Sequence, residues 1–385
     1  MQDSGDNMST EREIIDPLTL ASLFEEKFSI DWLMELSELK ASQVLAKLED
    51  ETRNGLIVPK GQGKYAFRAI KEKQKLLENL AAAEREKYHR KIVVFLQNEN
   101  AAATEMAYHL VNMGNDIEGC RWLLQAAQEH QKKYQYKLAS KYFLKIIEDL
   151  LKNESAEADI LFLKAAISIS NNSTALISPE RIVHILEQAL TRAKSRKDKY
   201  SMALIEMHLA KNEWMRGPSR MSMVHYKRGI SLAEQIDDEE LLGSIALFKF
   251  WFYFWSGKYE EAVREFRKTL PDIDQYPTGQ FPIVTTISYG NCLIQSGQYN
   301  QGLGLLNALY DHCLKMGDMQ NAAMAKLGLG IGLATVHKTE EALPYLQDAL
   351  EVAERIGNNW VKTAVINTWL TLTTRWAKPG NRKNT

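Results

Sequence analysis

The strongest constraint on the fold is a set of turn positions that recur every 40 residues in the C-terminal half. Gly217, Gly257, Gly297 and His337 each begin a turn, and each is followed five residues later by a small residue. A fixed period of this length indicates one supersecondary unit that recurs, each copy burying against its neighbours a face that it could not bury alone. The chain is therefore predicted to be a repeat array.

Each unit is predicted to be a pair of helices. In the unit at 240–270, an apolar helix stops at Gly257, where glycine can take the left-handed conformation that ends a helix. A second helix begins near Tyr259, and its acidic first turn suits the helix dipole. Small residues where the helices cross let the two backbones approach closely. These predicted packing residues are Ser222, Ala262, Gly302 and Ala342 on the second helices, and Gly290 and Gly330 on the first helices.

The segments "GKYEEAVREF", "GQYNQGLGLL" and "KTEEALPYLQDAL" resemble the tetratricopeptide repeat (TPR) family. Its typical unit has about 34 residues, so the longer period implies longer helices. This variant is similar to the superhelical sensor regions of large bacterial signalling ATPases and maltose-type transcription activators. The resemblance implies an all-α, TPR-like α-solenoid, a right-handed superhelix of about six helix pairs whose first helices line the inner surface.

The first hundred residues follow a different order. Three helical segments precede two short strand-like runs around Gly61–Gly63, which is the order of a winged helix. This order also resembles the signalling ATPases of the STAND class, in which a winged helix feeds a helical array. The matching residues are Tyr65, Phe67, Arg68, Arg85, Tyr88, His89, Ala107, His109, Gly114, Trp122 and Ala126. No GxxxxGK[ST] phosphate loop is present, so the resemblance implies such a regulator without its ATPase domain.

These patterns divide the chain into five predicted parts. We expect a disordered tail over 1–16, a winged-helix-like module over 17–69, a connecting helix over 70–100, the TPR-like repeats over 101–375, and a disordered tail over 376–385.

Composition bears on the compartment and on the partners. The net charge of −1 predicts no global attraction to nucleic acid or to an anionic membrane. Cys120, Cys292 and Cys313 are widely spaced and odd in number, which indicates thiols in a reducing, cytoplasmic compartment. The N-terminus has no signal-peptide pattern, and the apolar run 245–255 is too short to span a bilayer.

A basic cluster follows the predicted strands. Lys60, Lys64, Arg68 and Lys71 are candidates for contact with phosphate or with an acidic protein partner, although a solvated helix face would show the same pattern. The predicted recognition helix, 38–55, has a net charge of −1, whereas a helix that reads a DNA groove should be basic.

An aromatic stretch marks a candidate binding surface on the first helices. The segment 248–255 carries seven aromatic residues and would place them on every face of a helix, so some must point away from the helix-pair core. Most are expected to pack into neighbouring units, while the rest could grip a peptide or a flat ligand with little loss of entropy. The candidate groove residues are Trp214, Trp251, Tyr253, Trp255 and Tyr289.

No pattern of residues indicates catalysis. The eight histidines have no HExxH or similar spacing for a metal, and acidic pairs such as Glu340–Glu341 fall at helix starts, where they suit the dipole. We therefore expect no enzyme activity, no catalytic residue, no metal and no cofactor.

The sequence predicts a non-catalytic protein-interaction or sensor module of a bacterial regulatory system, which binds a protein segment or a small effector in the repeat groove. Two alternatives stay open. One is a transcription regulator that binds DNA through the winged helix. The other is the non-nucleotide-binding subunit of a split STAND-type ATPase, whose partner would be a separate ATPase chain.

Overall fold

A computed structural model gives the positions of most of the chain. It describes residues 16–37, 39–172, 177–216, 220–236, 238–269 and 283–376. Gly217 and the two predicted tails, apart from Asp16 and Trp376, lie outside the described residues.

The described residues form nineteen helices and three short strands. The N-terminal elements are α1 (Pro17–Ser22), β1 (Phe28–Ser29), α2 (Ile30–Ser37), α3 (Ala41–Arg53), β2 (Ile57–Pro59), β3 (Lys64–Phe67), α4 (Ile70–Glu78), α5 (Ala82–Asn98), α6 (Ala103–Val111), α7 (Ile117–Lys132) and α8 (Tyr136–Asp149). The remaining elements are α9 (Ala156–Asn172), α10 (Pro179–Ser195), α11 (Lys199–Arg216), α12 (Arg220–Glu234), α13 (Glu239–Trp255), α14 (Tyr259–Thr269), α15 (Ile283–Gln295), α16 (Tyr299–Met316), α17 (Met319–Thr335), α18 (Thr339–Ile356) and α19 (Asn359–Trp376).

The chain divides into two compact units. The first holds residues up to 130 together with 141–154, and the second holds 131–140 together with the residues from 155 onward. The predicted boundaries near 69 and 100 would subdivide the first unit, and they stay predictions.

The first unit begins with three helices and a small antiparallel sheet. The strands lie in the order β1-β3-β2, with Phe28 paired to Tyr65 and Ile57 paired to Phe67. Leu33 on α2 and Leu48 on α3 are fully buried. The sequence predicts the helices and the β2–β3 hairpin, but not the two-residue strand β1.

The stretch predicted as one connecting helix is two helices. α4 ends at Glu78 and α5 begins at Ala82. The backbone N–H of Ala81 donates to Glu84 Oε2 at 2.9 Å, which supplies a partner to the start of α5. A local capping contact therefore interrupts a segment whose helical pattern is continuous.

The second unit is a stack of helix pairs. From α9 to α18, each odd-numbered helix packs against the even-numbered helix that follows it, and α19 packs on α18 and α17. The odd-numbered helices also contact one another in succession from α9 to α19, so they form one continuous layer. The predicted all-α solenoid of helix pairs is confirmed.

A second set of residues with the 40-residue spacing caps the first helices. The carboxylates of Asp198, Asp238 and Asp318 and the amide of Asn358 each accept a hydrogen bond from the backbone N–H three residues later, at 2.8–3.2 Å. These residues precede α11, α13, α17 and α19, so each one satisfies a free N–H at the start of a first helix.

The left-handed turns recur with the same spacing. Gly257, Gly297 and His337 have φ values of 71°, 87° and 63° where α13, α15 and α17 end. Glycine takes this conformation without steric cost, whereas His337 takes it at the cost of a close contact of its Cβ with the backbone.

Glycines permit the closest helix crossings. A Cβ added to Gly302 would lie 2.7 Å from the carbonyl oxygen of Gly290 and 2.6 Å from Ile294 Cγ1. One added to Gly330 would lie 2.6 Å from Leu346 Cδ2. At Gly302 the obstacle is partly backbone, so a larger residue would have to separate α15 from α16.

The other predicted packing residues also lie at buried positions. Ala262 and Ala342 are fully buried, and Ser222 is 5% exposed. Ser222 Oγ donates to the carbonyl oxygen of Ala210 at 2.8 Å, so its polar atom is satisfied inside the α11–α12 contact.

Candidate partner-binding surface

Side chains 40 residues apart lie side by side on the layer of odd-numbered helices. Gln295 Nε2 on α15 donates to Thr335 Oγ1 on α17 at 3.0 Å, and the rings of His208 on α11 and Phe248 on α13 are 5.3 Å apart. The sequence period therefore maps onto neighbouring positions in space.

Two rows of equivalent residues follow from this register. We call their common surface the first-helix face, and every side chain on it is half-buried or exposed. One row is Lys211, Trp251, Asn291 and Ile331, and the other is Met215, Trp255, Gln295 and Thr335.

Three indole rings form a ladder across two helices of this face. Trp214 and Trp255 stack with ring centroids 5.7 Å apart and an interplanar angle of 12°, and Trp251 and Trp255 lie 5.5 Å apart at 36°. Each of the three is half-buried. We call Trp214, Trp255 and Trp251 the indole ladder. Its rings pack against each other, so they are held in place while part of their surface faces solvent.

Lys211 lies one helical turn before Trp214. Its Nζ donates to the carbonyl oxygen of Ser170 at 3.4 Å, and burial lowers the pKa of the ammonium group to about 8. Ser170 also accepts a hydrogen bond from Asn212 Nδ2 at 2.9 Å and lies 3.0 Å from His208 Nδ1. This polar network holds the start of the row in a fixed arrangement.

Asn291 lies between Trp251 and Ile331 in the first row. Its Oδ1 is buried and accepts no hydrogen bond from the residues that the structure describes. A Cβ added to Gly328 of α17 would lie 3.2 Å from both amide atoms of Asn291, so this glycine provides room for the side chain. A buried amide oxygen that accepts no hydrogen bond is uncommon and calls for a functional explanation.

The structure brings together three of the five predicted groove residues. Tyr253 is half-buried, two positions from Trp251 and so on another side of α13. Tyr289 is fully buried, where its ring stacks on Phe266 at 4.2 Å and its hydroxyl accepts a hydrogen bond from Arg267 Nε at 2.9 Å. Placing Tyr289 on the groove was wrong, because its side chain exposes no surface.

Lys211 and Asn291 are absent from the sequence prediction. Both could have been found by stepping 40 residues backward and forward from Trp251. Only aromatic residues mark the predicted groove, and a lone lysine or asparagine in a helix is ordinary.

The basic residues of the first unit lie around the β2–β3 hairpin. Lys60, Lys64, Arg68 and Lys71 are all exposed, and no acidic residue occurs between positions 57 and 71. Ile70, at the start of α4 and next to Lys71 in the sequence, is 76% exposed. On α3, the side chains exposed to solvent include Leu45, Glu49 and Asp50.

One pocket of the second unit lies away from the first-helix face. Its volume is about 320 Å³, and its lining residues come from 134–138, 317–320 and 356–358. Between two of these residues, buried Asp318 accepts hydrogen bonds from Tyr136 Oη at 3.3 Å and from Asn321 Nδ2 at 2.6 Å. Burial raises the pKa of Asp318.

The described residues contain neither a cluster of metal-binding side chains nor a helix suited to a membrane. No three His, Cys, Asp or Glu side chains come together there as a metal site would require. Among the same residues, no helix is both long and apolar enough to cross a lipid bilayer.

Comparisons with known proteins identify no family. No family model and no curated protein matches the chain. A STAND protein with a tetratricopeptide repeat sensor from Pyrococcus horikoshii is 15% identical, with a TM-score of 0.37, and the match covers 93% of this chain and 62% of that one.

Two other solved structures match at lower TM-scores. The TPR2AB domain of yeast Sti1 in complex with pHSP90 is 12% identical over 66% of this chain and 99% of that one, with a TM-score of 0.26. A Rap protein complexed with competence and sporulation factor is 10% identical over 93% of this chain and 99% of that one, also at 0.26. At these TM-scores the likeness carries no argument, and the fold rests on the packing of this chain's own helices.

Proposed function

We propose that this protein is a non-catalytic interaction module whose first-helix face binds an extended segment of a partner protein. The observation that carries the proposal is the indole ladder, three half-buried tryptophans stacked across two adjacent repeats. Tryptophan is enriched at the energetic centres of protein interfaces, since it offers a large rigid surface at little cost in conformational entropy.

The polar residues beside the ladder suit a peptide main chain. Asn291 Oδ1 accepts no hydrogen bond from the other described residues, and a rotation of this half-buried side chain would turn the amide oxygen from α17 toward a peptide N–H. Lys211 Nζ has three N–H donors and makes a long hydrogen bond of 3.4 Å to the carbonyl oxygen of Ser170, so it would also donate to a peptide carbonyl or carboxylate. Apolar contact from the ladder and main-chain contact from Asn291 together favour an extended segment over a small rigid ligand.

Peptide binding can be tested with an array of fifteen-residue random peptides and fluorescence anisotropy on the hits. We expect Trp251→Ala and Trp255→Ala to weaken binding at least tenfold, which is about 1.4 kcal/mol. Trp360→Ala is the matched control, because Trp360 on α19 is 44% exposed and outside the ladder. Peptides that bind all three variants as tightly as the intact chain would contradict the proposal, as would an array without hits.

A second candidate function rests on the first unit. Its element order and its β1-β3-β2 sheet support a winged helix, and exposed basic residues lie on and after the hairpin. These features support DNA binding through phosphate contacts. The exposed Leu45, Glu49 and Asp50 on α3 argue for a protein partner instead, since a helix that enters a DNA groove should be basic.

Salt dependence separates these two partners. If duplex DNA is the ligand, its affinity should fall steeply with salt, and the Lys60→Glu/Lys64→Glu variant should lose most of it. If the intact chain binds DNA weakly and this variant binds it equally well, DNA is not the ligand.

The regulatory setting belongs to the same proposal. Solenoids can respond to a ligand by small rearrangements summed over repeats, which would let a bound segment alter how residues 1–100 engage a partner. A cytoplasmic location and a separate ATPase chain as that partner fit the sequence resemblance to STAND regulators. Copurification of a nucleotide-binding chain with the tagged protein would support a separate ATPase chain as the partner.

A further inference from the structure

Two buried histidines of the first unit face each other. His89 on α5 and His109 on α6 are 4% and 2% exposed, and their Nδ1 atoms are 3.0 Å apart. One imidazole must donate its Nδ1–H to the unprotonated Nδ1 of the other. If both were protonated, two N–H groups would point at each other at hydrogen-bond distance, so this geometry requires at least one neutral ring.

The charges around the pair are positive. Burial is the main cause that lowers the pKa of both imidazoles, and the charges of Arg85 on α5, acting on His89, and of Lys73 on α4, acting on His109, lower it in addition. Arg85 Nε is itself buried without a hydrogen-bond partner. In the part of the chain that the structure describes, no carboxylate contributes to the pKa shift of either histidine.

The acidic side chains nearby engage other groups. Glu25 and Glu26, in the loop between α1 and β1, act on Lys73, and Glu25 also acts on Tyr108 of α6. Glu86 of α5 accepts hydrogen bonds from Arg90 and from the backbone N–H of Gly114. The α2 helix, which packs on α5, contributes Asp31 and Glu35. None of these carboxylates is a cause of the pKa shift of either imidazole, so a proton added to the pair has no paired anion among the described residues.

The pair is joined to the N-terminal helices through the loop after α1. The ring of Phe24 contacts His109 edge to face at 5.2 Å and stacks on Trp32 of α2 at 5.3 Å. Lys73 Nζ donates to the carbonyl oxygens of Phe24 and Glu25, so α4 holds the same loop. The loop thus connects α1, α2, α4 and α6 at one point next to the imidazoles.

We propose that the His89–His109 pair is an acid-sensitive latch that fastens the loop 23–27 and α4 to α5 and α6, and that protonation opens it. Opening would release the N-terminal helices and their basic hairpin from the α5–α6 pair. The latch does not depend on what the first-helix face binds.

The direction of the pH effect follows from burial. Desolvation lowers the pKa of His89 to about 4 and that of His109 to about 3, from 6.5. Both rings are neutral in the closed state, whereas an opened state takes up protons below pH 6.5. The latch is therefore fully closed above pH 6.5 and is progressively lost between pH 6.5 and about pH 4.

Hydrogen exchange at the latch tests the proposal on the full chain. Lowering the pH from 7 to 5 should increase the opening equilibrium of loop 23–27 and α4 on the order of 100-fold or more, after correction for intrinsic exchange, because each exposed imidazole contributes roughly 25-fold. The variant His89→Phe/His109→Phe cannot take up these protons, and its opening should change less than about fivefold. His184→Ala, at an exposed histidine of α10, should behave as the intact chain does.

A second measurement covers the case in which the double variant fails to fold. Imidazole nitrogen NMR of the intact chain should show both rings neutral at pH 5.5, with one protonated at Nδ1. Titration of either ring near pH 6.5 in the closed protein would overturn the latch, and so would equal acid sensitivity in the folded double variant.

Discussion

The matched glycines Gly302 and Gly304 of α16 allow a sharp test of the helix-pair packing. Gly302→Ala would place a Cβ 2.7 Å from the carbonyl oxygen of Gly290 and 3.1 Å from the backbone N of Ile294. Gly304→Ala meets nothing within 4 Å. Both changes replace glycine by a better helix former, so both gain about 1 kcal/mol of helix propensity.

The two variants should shift stability in opposite directions. Overpacking costs up to roughly 3 kcal/mol, and a clash with backbone, which cannot rotate away, belongs at that upper end. Gly302→Ala should therefore lower the free energy of unfolding by about 2 kcal/mol, while Gly304→Ala should raise it by about 1 kcal/mol. Urea unfolding followed by circular dichroism measures both. A separation below about 1 kcal/mol would refute the close α15–α16 crossing.

Three further predictions concern single side chains of the second unit. His337→Gly should raise the free energy of unfolding by about 1 kcal/mol, because it relieves a left-handed residue, whereas His184→Gly in α10 should lower it by about 1 kcal/mol in the same urea assay. Arg192→Met should lower the free energy of unfolding by about 3 kcal/mol, because Asp159 is only 6% exposed and loses its main partner, which donates to it at 2.8 Å. The double variant Arg192→Met/Asp159→Leu should recover stability, and thermal unfolding measures both variants. Burial lowers the pKa of His208 to about 3, so the folded ring stays neutral while the unfolded chain takes up a proton below pH 6.5. This ring should then account for about 2 kcal/mol of the fall in the free energy of unfolding between pH 7 and pH 5, and His208→Gln should make that fall smaller by about 2 kcal/mol in urea titrations at both pH values.

Much of the fold was predictable because its signals are local and repeated. The turn residue Gly257 and the cap Asp238 act on backbone groups within a few positions, so their 40-residue spacing indicates helix ends directly. The predicted recognition helix, 38–55, contains α3 (Ala41–Arg53), whose end at Asn54–Gly55 is again set by local backbone contacts.

The misses involve contacts that are distant in the sequence. Strand β1 has two residues and exists because Phe28 and Ser29 meet β3 more than thirty positions later. Tyr289 is buried because Phe266 and Arg267 of the preceding pair cover it, which its own helix does not indicate. Candidate surface residues were therefore only partly predictable, since the neighbour that covers an aromatic ring is set by the stacking of repeats.

The most direct test of the central claim is the indole N–H spectrum of the chain during titration with a peptide from the array. Proton–nitrogen NMR with assigned tryptophans reports each ring separately. We expect shifts at Trp214, Trp251 and Trp255 that saturate together, with Trp360 unchanged. Peptide binding that leaves these three signals in place, or that shifts Trp360 instead, would show that the first-helix face is not the binding surface.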